Sequence, residues 1–158
     1  MPIEKNELRR VMGHFATGVT VITTRRSSGE LHGLTANAFT SLSLTPPLVV
    51  ICVDKKAESY PCFEESKIFT VNILAADQES LSRRFAVSGG DKFIGVAYRA
   101  GGNGAPILEG TIAHIECKVV SAADGGDHTI YIGEVLEAET REAKPLLFFR
   151  GGYREIGD

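Results

Sequence analysis

One stretch of the sequence, residues 33–56, limits the folds open to this chain more than any other. It reads Gly-Leu-Thr-Ala-Asn-Ala-Phe-Thr-Ser-Leu-Ser-Leu over 33–44, passes through Pro46 and Pro47, and ends after an apolar segment on Asp54-Lys-Lys56. A core strand would carry Val, Ile or Leu where this stretch carries hydroxyl and amide groups, which form hydrogen bonds. The stretch therefore predicts strands that present polar side chains to a surface or to a ligand.

Two interpretations of residues 33–43 follow from this pattern. The first is an exposed strand with one polar face. The second is a surface for a planar polar heterocycle, since Thr35 and Asn37 offer hydrogen bonds while Ala36 and Ala38 are small enough for close approach. Periodicity alone leaves both open.

Composition excludes several classes of protein. The 158 residues are 43% hydrophobic and 23% charged, which predicts one soluble globular domain over residues 1–158. A net charge of −3 argues against a nucleic-acid partner. The longest apolar run, Leu48–Val53, is too short to span a membrane, and the polar N-terminal segment is unlike a secretory leader. Three cysteines without CxxC spacing predict reduced thiols and a cytoplasmic location.

The hydrophobic pattern predicts a mainly β chain. Val19–Thr24 is β-branched throughout and indicates a strand, and Pro46-Pro47 is expected to break the ladder and turn the next segment away. Six or seven strands and three short helices favour a closed or nearly closed antiparallel barrel with helices over its openings. The expected helices are 4–16, 58–65 and 78–85; later strands are 48–53, 69–74, 111–121 and 128–140, with a long loop over 88–104.

Three further features have both a plain and a functional interpretation. Lys55 and Lys56, followed by Ser59 at a helix start, form either a solvated charged turn or a phosphate site. His128 after Gly126-Asp127 is either structural or placed to reach over a bound ring. Tyr153 in the C-terminal tail belongs either to the core or to the same rim.

Hydrolytic and metal chemistry lack the motifs that they need. The sequence contains no G-x-S-x-G, H-E-x-x-H or P-loop spacing. Its four histidines are scattered without metal-ligand spacing, so no zinc site is expected.

Taken together, these stretches resemble the flavin reductase family, the small reductase components of two-component flavin monooxygenases. The resemblance follows the family's order along nearly the whole chain. It rests on Thr17–Thr23, Gly33–Leu44, Pro46–Leu48, Val71–Leu74, Asp91–Phe93, Gly126–His128 and the tail from Pro145 to Tyr153. It implies an antiparallel FMN-binding split β-barrel, Greek-key-like, with a few short helices.

The resemblance also implies the site residues. By this resemblance, the flavin ring and ribityl chain contact Thr35, Ala36, Asn37 and Ser41, and Phe85 and Ala86 form the pocket wall. The phosphate side of the flavin contacts Cys52, Val53, Asp54, Lys55, Lys56 and Ser59. The nicotinamide contacts His128 and Tyr153. No side chain is expected to act as a catalytic acid, base or nucleophile, because the cofactors carry the hydride.

The implied activity is that of an NAD(P)H:flavin oxidoreductase, with FMN or FAD and NADH or NADPH. It would act as a homodimer and supply reduced flavin by diffusion to a separate monooxygenase. Two alternatives stay open: a flavoenzyme that keeps its flavin bound and reduces another substrate, and a non-catalytic flavin carrier or sensor.

Overall fold

The computed structural model describes residues 1–157 and shows a mainly β fold, as the sequence predicts. The three helices are α1 (Lys5–Met12), α2 (Tyr60–Ser66) and α3 (Glu79–Phe85). The strands are β1 (Thr17–Gly18), β2 (Thr20–Arg25), β3 (Leu31–Ala36), β4 (Phe39–Leu44), β5 (Pro47–Asp54), β6 (Ile68–Ile73), β7 (Tyr98–Ala100), β8 (Pro106–Leu108), β9 (Ala113–Gly125), β10 (His128–Thr140), β11 (Leu146–Phe149) and β12 (Gly152–Glu155).

Seven strands form one antiparallel sheet in the order β3-β2-β6-β9-β10-β5-β4. Its two edge strands, β3 and β4, are consecutive in the chain and separated only by Asn37 and Ala38. The sheet must therefore curve until its edges meet. Leu34 of β3 and Phe39 of β4 accordingly pack on the same buried cluster, which includes Phe63, Phe69 and Tyr131.

Residues 33–44 thus belong to two strands at opposite edges of the sheet, and the interpretation of residues 33–43 as a single strand is wrong. The Ala38 carbonyl accepts a hydrogen bond from the Cys52 N–H at 3.1 Å, which joins the break to β5. The expectation that Pro46-Pro47 turns the next segment away is also wrong, because β4 and β5 remain paired. Leu44 pairs with Pro47 across a tight turn, because a proline at the first position of a strand removes no interior ladder bond.

Several shorter elements differ from the sequence expectation. Residues 1–157 contain twelve strands rather than six or seven, because short pairs lie outside the main sheet. Within the expected loop over 88–104, Tyr98–Ala100 forms a strand that pairs with Pro106–Leu108 beyond the loop, a three-residue ladder too short to show alternation. The turn between β9 and β10 consists only of Gly126-Asp127, and Gly126 has a positive φ of 76°, which a tight hairpin turn requires.

The C-terminal tail is held to the barrel by a second sheet. Strands β1, β11 and β12 form it in the order β1-β11-β12, so the end of the chain pairs with a strand near its beginning. Helix α3 packs on the outer face of β3, where a second buried cluster contains Val21, Leu74 and Phe85. Tyr153 of β12 and helix α3 therefore meet over β3. Among residues 1–157, no helix is long and apolar enough to cross a membrane.

Candidate active site

A cavity of about 250 Å³ opens where β3, α3 and the tail meet. It collects five of the fourteen predicted site residues: Thr35, Ala36, Asn37, Ala86 and Tyr153. The remaining wall consists of Val19, Ser82 and Phe148. Positions far apart in the sequence are thus brought to one concave surface.

Ser82 holds this cavity together. The Thr35 hydroxyl donates to the Ser82 carbonyl at 2.5 Å, and the Ser82 and Tyr153 hydroxyls are hydrogen-bonded at 2.6 Å. The Tyr153 ring also meets Phe148 edge-on at 5.4 Å. Since the only proton of the Thr35 hydroxyl is used in the hydrogen bond to the Ser82 carbonyl, the Thr35 oxygen is available to a ligand only as an acceptor.

The sequence did not single out Ser82, although a signal was present. It lies three residues before Phe85, so both occupy one face of α3, and both are buried. A small polar residue on the buried face of an otherwise amphipathic helix indicates a hydrogen bond to another element.

Gly33 permits helix α3 to lie close to β3. A Cβ at this position would lie 3.0 Å from two atoms of the Phe85 ring. That ring is 1% exposed and belongs to the second buried cluster. The side chain of Phe85 therefore supports α3 from within the core, and a ligand could reach only its main chain, whereas Ala86 lines the cavity.

A second, more apolar groove of about 720 Å³ lies on the other side of Asn37. It is lined by Ala38, Phe39, Thr40 and Cys52 from the β3–β4 break and β5, and by Met12, Phe15 and Val19 from the N-terminal region, among others. Asn37 lines both spaces, and within residues 1–157 its side-chain amide has no hydrogen-bond partner. The break between the two edge strands thus presents a free amide between a small cavity and an apolar groove.

The segment from Cys52 to Lys56 is only partly available to a ligand. Val53 is fully buried, so its side chain faces the core. The Lys55 ammonium contacts the Asp124 carboxylate and donates to the Gly126 carbonyl at 2.8 Å; the Asp124 bond raises the pKa of Lys55. Asp54 accepts a bond from the Lys56 N–H at 2.8 Å. Of the two lysines expected to face a phosphate, only Lys56 has an ammonium without a recorded partner among the described residues.

Ser59 lies in a third cavity, of about 530 Å³, which Gly33 also lines. Ser59 is 4% exposed, and its hydroxyl caps no backbone group of α2. The cation in this cavity is Lys92, whose pKa is lowered by desolvation. Lys92 belongs to the Asp91-Lys-Phe93 motif that carries part of the family resemblance, but it was not among the predicted site residues.

Two further predicted site residues also lie apart from these cavities. His128 begins β10 opposite Asp54, and its Nδ1 is 2.7 Å from the Asp127 carboxylate. Ser41 is an exposed residue of β4 paired with Val49. Neither lines the cavity beside Tyr153, so their ligand contacts stay predictions.

Thiol reactivity gives a direct test of the groove. Cys62 and Cys117 are buried, and desolvation raises the pKa of Cys117 to about 12. Cys52 is half-buried and lines the groove. We expect one of the three thiols to react quickly with Ellman's reagent in native protein, and Cys52→Ser to remove that reaction. Fast reaction of two or more thiols would contradict the burial of Cys62 and Cys117 in the core.

The arrangement fits a flavin. Small residues at Ala36, Ala38 and Ala86 leave room for a flat ring, Asn37 offers an amide to its polar edge, and the apolar groove suits its hydrocarbon edge. Within residues 1–157, no group of three or more His, Cys, Asp or Glu side chains is placed to hold a metal ion.

Comparison with known proteins gives consistent results. Residues 12–157 match the model of the flavin reductase like domain. The chain is 44% identical over 155 residues to the reductase subunit HsaB of a flavin-dependent monooxygenase from Rhodococcus jostii, covering 98% of this chain and 79% of that protein. It is 41% identical to an NADH-linked FMN reductase, SmoA, from Agrobacterium fabrum, and the match covers 92% of this chain and 82% of SmoA.

A solved structure shows the same fold. The NADH:FAD oxidoreductase SgcE6 of Streptomyces globisporus, in complex with NAD and FAD fragments, superposes with a TM-score of 0.93 at 43% identity. The match covers 98% of this chain and 93% of that one.

Proposed function

This chain belongs to the flavin reductase family, and on that premise we propose that it is an NAD(P)H:flavin oxidoreductase. It transfers a hydride from NADH or NADPH to FMN or FAD and supplies the reduced flavin to a separate monooxygenase component. The observation that carries the proposal is the cavity in which Thr35, Asn37, Ala86 and Tyr153 converge. The similar proteins named above are NADH-linked reductases of FMN or FAD, or the reductase subunit of a flavin-dependent monooxygenase.

The protein's task is to bind and orient two rings and to exclude water. When bound, the flavin supplies the hydride-accepting chemistry, and a protein nucleophile is not required. The Asn37 amide would donate to the polar edge of the ring, where electron density increases on reduction, and such preorganised donors lower the barrier. The Thr35 hydroxyl would accept a hydrogen bond from the flavin, and Ala86 and Tyr153 would form the wall beside the nicotinamide.

The anionic end of the flavin has two candidate positions. Lys56 follows β5, and its ammonium has no partner within residues 1–157, whereas Lys92 lies with Ser59 in the third cavity. Lys55 is the weaker candidate, because its ammonium already contacts Asp124. Ser41 is retained as a ribityl contact from the resemblance alone.

Mixing the purified protein with NADH and FMN tests the proposal, with absorbance at 340 nm as the readout. We expect turnover that requires added flavin. Turnover without added flavin, by protein that retains a yellow flavin after gel filtration, would favour a flavoenzyme with a bound cofactor. Flavin binding without oxidation of either NADH or NADPH would leave the carrier or sensor and contradict the proposed activity.

His128→Ala tests the assignment of this residue to the nicotinamide. We expect the KM for NADH to rise about tenfold, equivalent to about 1.4 kcal/mol of binding, with a smaller change in kcat. The His128–Asp127 pair is exposed, so the melting temperature should change little. An unchanged KM for both nicotinamide cofactors would remove His128 from the site.

The proposal includes a homodimer. Helix α1 has no buried residue, and its apolar side is left uncovered by the rest of residues 1–157. The exposed fractions are 45% for Leu8, 47% for Val11, 63% for Met12 and 76% for Phe15. A continuous apolar surface of this kind is typical of an interface, and a second copy placed there would lie at the edge of the groove beside Asn37 that Met12 and Phe15 form.

Light scattering tests this interface. We expect twice the chain mass of 17.0 kDa, and Val11→Asp should shift the protein to the monomer. Val120→Asp is the matched control, because Val120 is also 47% exposed but lies on β9. Dissociation by the control variant alone would move the interface to the sheet.

The cytoplasm is the proposed location. All three cysteines are unpaired in the structure, which suits a reducing compartment. The single domain over residues 1–158 also stays a prediction; Asp158 lies outside the described residues.

A further inference from the structure

One cation beside the cavity was not anticipated from the sequence, namely Arg83 of α3. Its guanidinium carbon lies 4.8 Å from the centroid of the Tyr153 ring, within the range of a cation–π contact. Its Nε donates to Glu79 at 2.9 Å, and neither Nη group has a recorded hydrogen-bond partner among the described residues. Arg83 therefore holds a fixed position and still presents free donors to solvent.

The cavity beside Tyr153 is too small for a whole dinucleotide. Its volume is about 250 Å³, whereas pockets that enclose drug-sized ligands are about 300–1,000 Å³. A nicotinamide ring fits, and the rest of the molecule must then leave over the rim. The first groups after the nicotinamide ribose are two phosphates, which carry the negative charge of the cofactor.

Arg83 lies where such a molecule would leave the cavity. It packs on Tyr153, which lines the cavity, and it also forms part of a shallow depression of about 570 Å³ between α3 and residues 95–97. The other arginine of this depression, Arg84, is already engaged by the carbonyls of Lys92 and Ile94. Arg83 is thus the available guanidinium between the small cavity and the open depression.

We propose that Arg83 binds the diphosphate of the nicotinamide dinucleotide, with the nicotinamide beside Tyr153 and the adenosine over the depression. The inference rests on the proposed function and extends it by naming a binding residue for the non-reacting half of the cofactor. A guanidinium suits this role, because its planar donors match two phosphate oxygens at once.

Titration calorimetry with Arg83→Ala tests the proposal without turnover. We expect the Kd values for NAD⁺ and for ADP-ribose, which carries the diphosphate without the nicotinamide, both to rise about tenfold, as loss of a charge-assisted bidentate contact would give. The Kd for FMN should be unchanged. Arg10→Ala is the matched control, because Arg10 is 64% exposed and pairs with Glu7 on α1 much as Arg83, 65% exposed, pairs with Glu79.

A second substrate separates a diphosphate contact from simple support of Tyr153. With 1-benzyl-1,4-dihydronicotinamide, which has the reacting ring and no phosphate, kcat/KM of Arg83→Ala should equal that of the unaltered protein. An equal loss of kcat/KM with NADH and with this analogue would mean that Arg83 only supports the Tyr153 ring, which would overturn the proposal. Unchanged NAD⁺ binding or weakened FMN binding by Arg83→Ala would also overturn it. Failure of the parent protein to oxidise NADH would instead contradict the proposed function.

Discussion

Gly133→Ala is expected to lower the free energy of unfolding by about 3 kcal/mol, the upper part of the usual cost of overpacking a core. Gly133 lies on β10, directly over the buried cluster. An added Cβ would lie 2.5 Å from Cζ of Phe69 and 3.0 Å from Cβ of Cys117, and both of these residues are fully buried. Because the Phe69 ring is enclosed in the core, it has little space into which to move.

Urea denaturation measures this effect, and Gly18→Ala is the matched control. Gly18 is also a strand glycine, on β1, but an added Cβ there has no neighbouring atom within 4 Å. We expect the control to change stability by less than about 0.5 kcal/mol, as surface substitutions usually do. A cost below about 1 kcal/mol for Gly133→Ala would mean that Phe69 can rotate away, contrary to its close packing.

The class of fold was accessible from the sequence because its signals are local. The β-branched run around Val19–Thr24 and the apolar run at 48–53 both form strands, and all three predicted helices are present. What local patterns do not contain is how strands are ordered across a sheet. The separation of residues 33–44 into two opposite edges follows from curvature of the whole sheet, and nothing in the stretch itself indicates it.

The candidate site shows the same division. The small and hydroxylated residues around Thr35 and Asn37 do line a cavity, as their residue types suggested. Ser82 and Arg83 were missed because their importance depends on the tail folding back onto α3, a contact between residues about seventy positions apart. Lys55 was favoured for its charge, yet the neighbouring β9–β10 turn supplies Asp124 as its partner. Whether a lysine at the end of a strand can bind a ligand therefore depends on the side chains of the neighbouring turn, which the strand's own sequence does not indicate.

Tyr153→Ala is expected to raise the KM for NADH about ten- to hundredfold, because stacking of a base on an aromatic ring is worth about 1–3 kcal/mol. The ring forms one wall of the cavity, forms an edge-on pair with Phe148 and has the guanidinium of Arg83 over it. Removing it leaves the nicotinamide without that wall. The Kd for FMN should change much less, because Asn37 and the apolar groove are untouched.

Tyr153→Phe separates the ring from its hydroxyl. This variant loses only the bond to Ser82, worth about 1 kcal/mol, so we expect a change in KM of less than about fivefold. The dihydronicotinamide analogue without phosphates adds a second distinction. Tyr153→Ala should impair its oxidation as much as that of NADH, whereas Arg83→Ala should impair oxidation of NADH alone, since we propose that the ring contacts the reacting group and the guanidinium contacts the diphosphate. Equal kinetics for Tyr153→Ala and the unaltered protein, at equal melting temperature, would show that the cavity beside Tyr153 does not hold the nicotinamide.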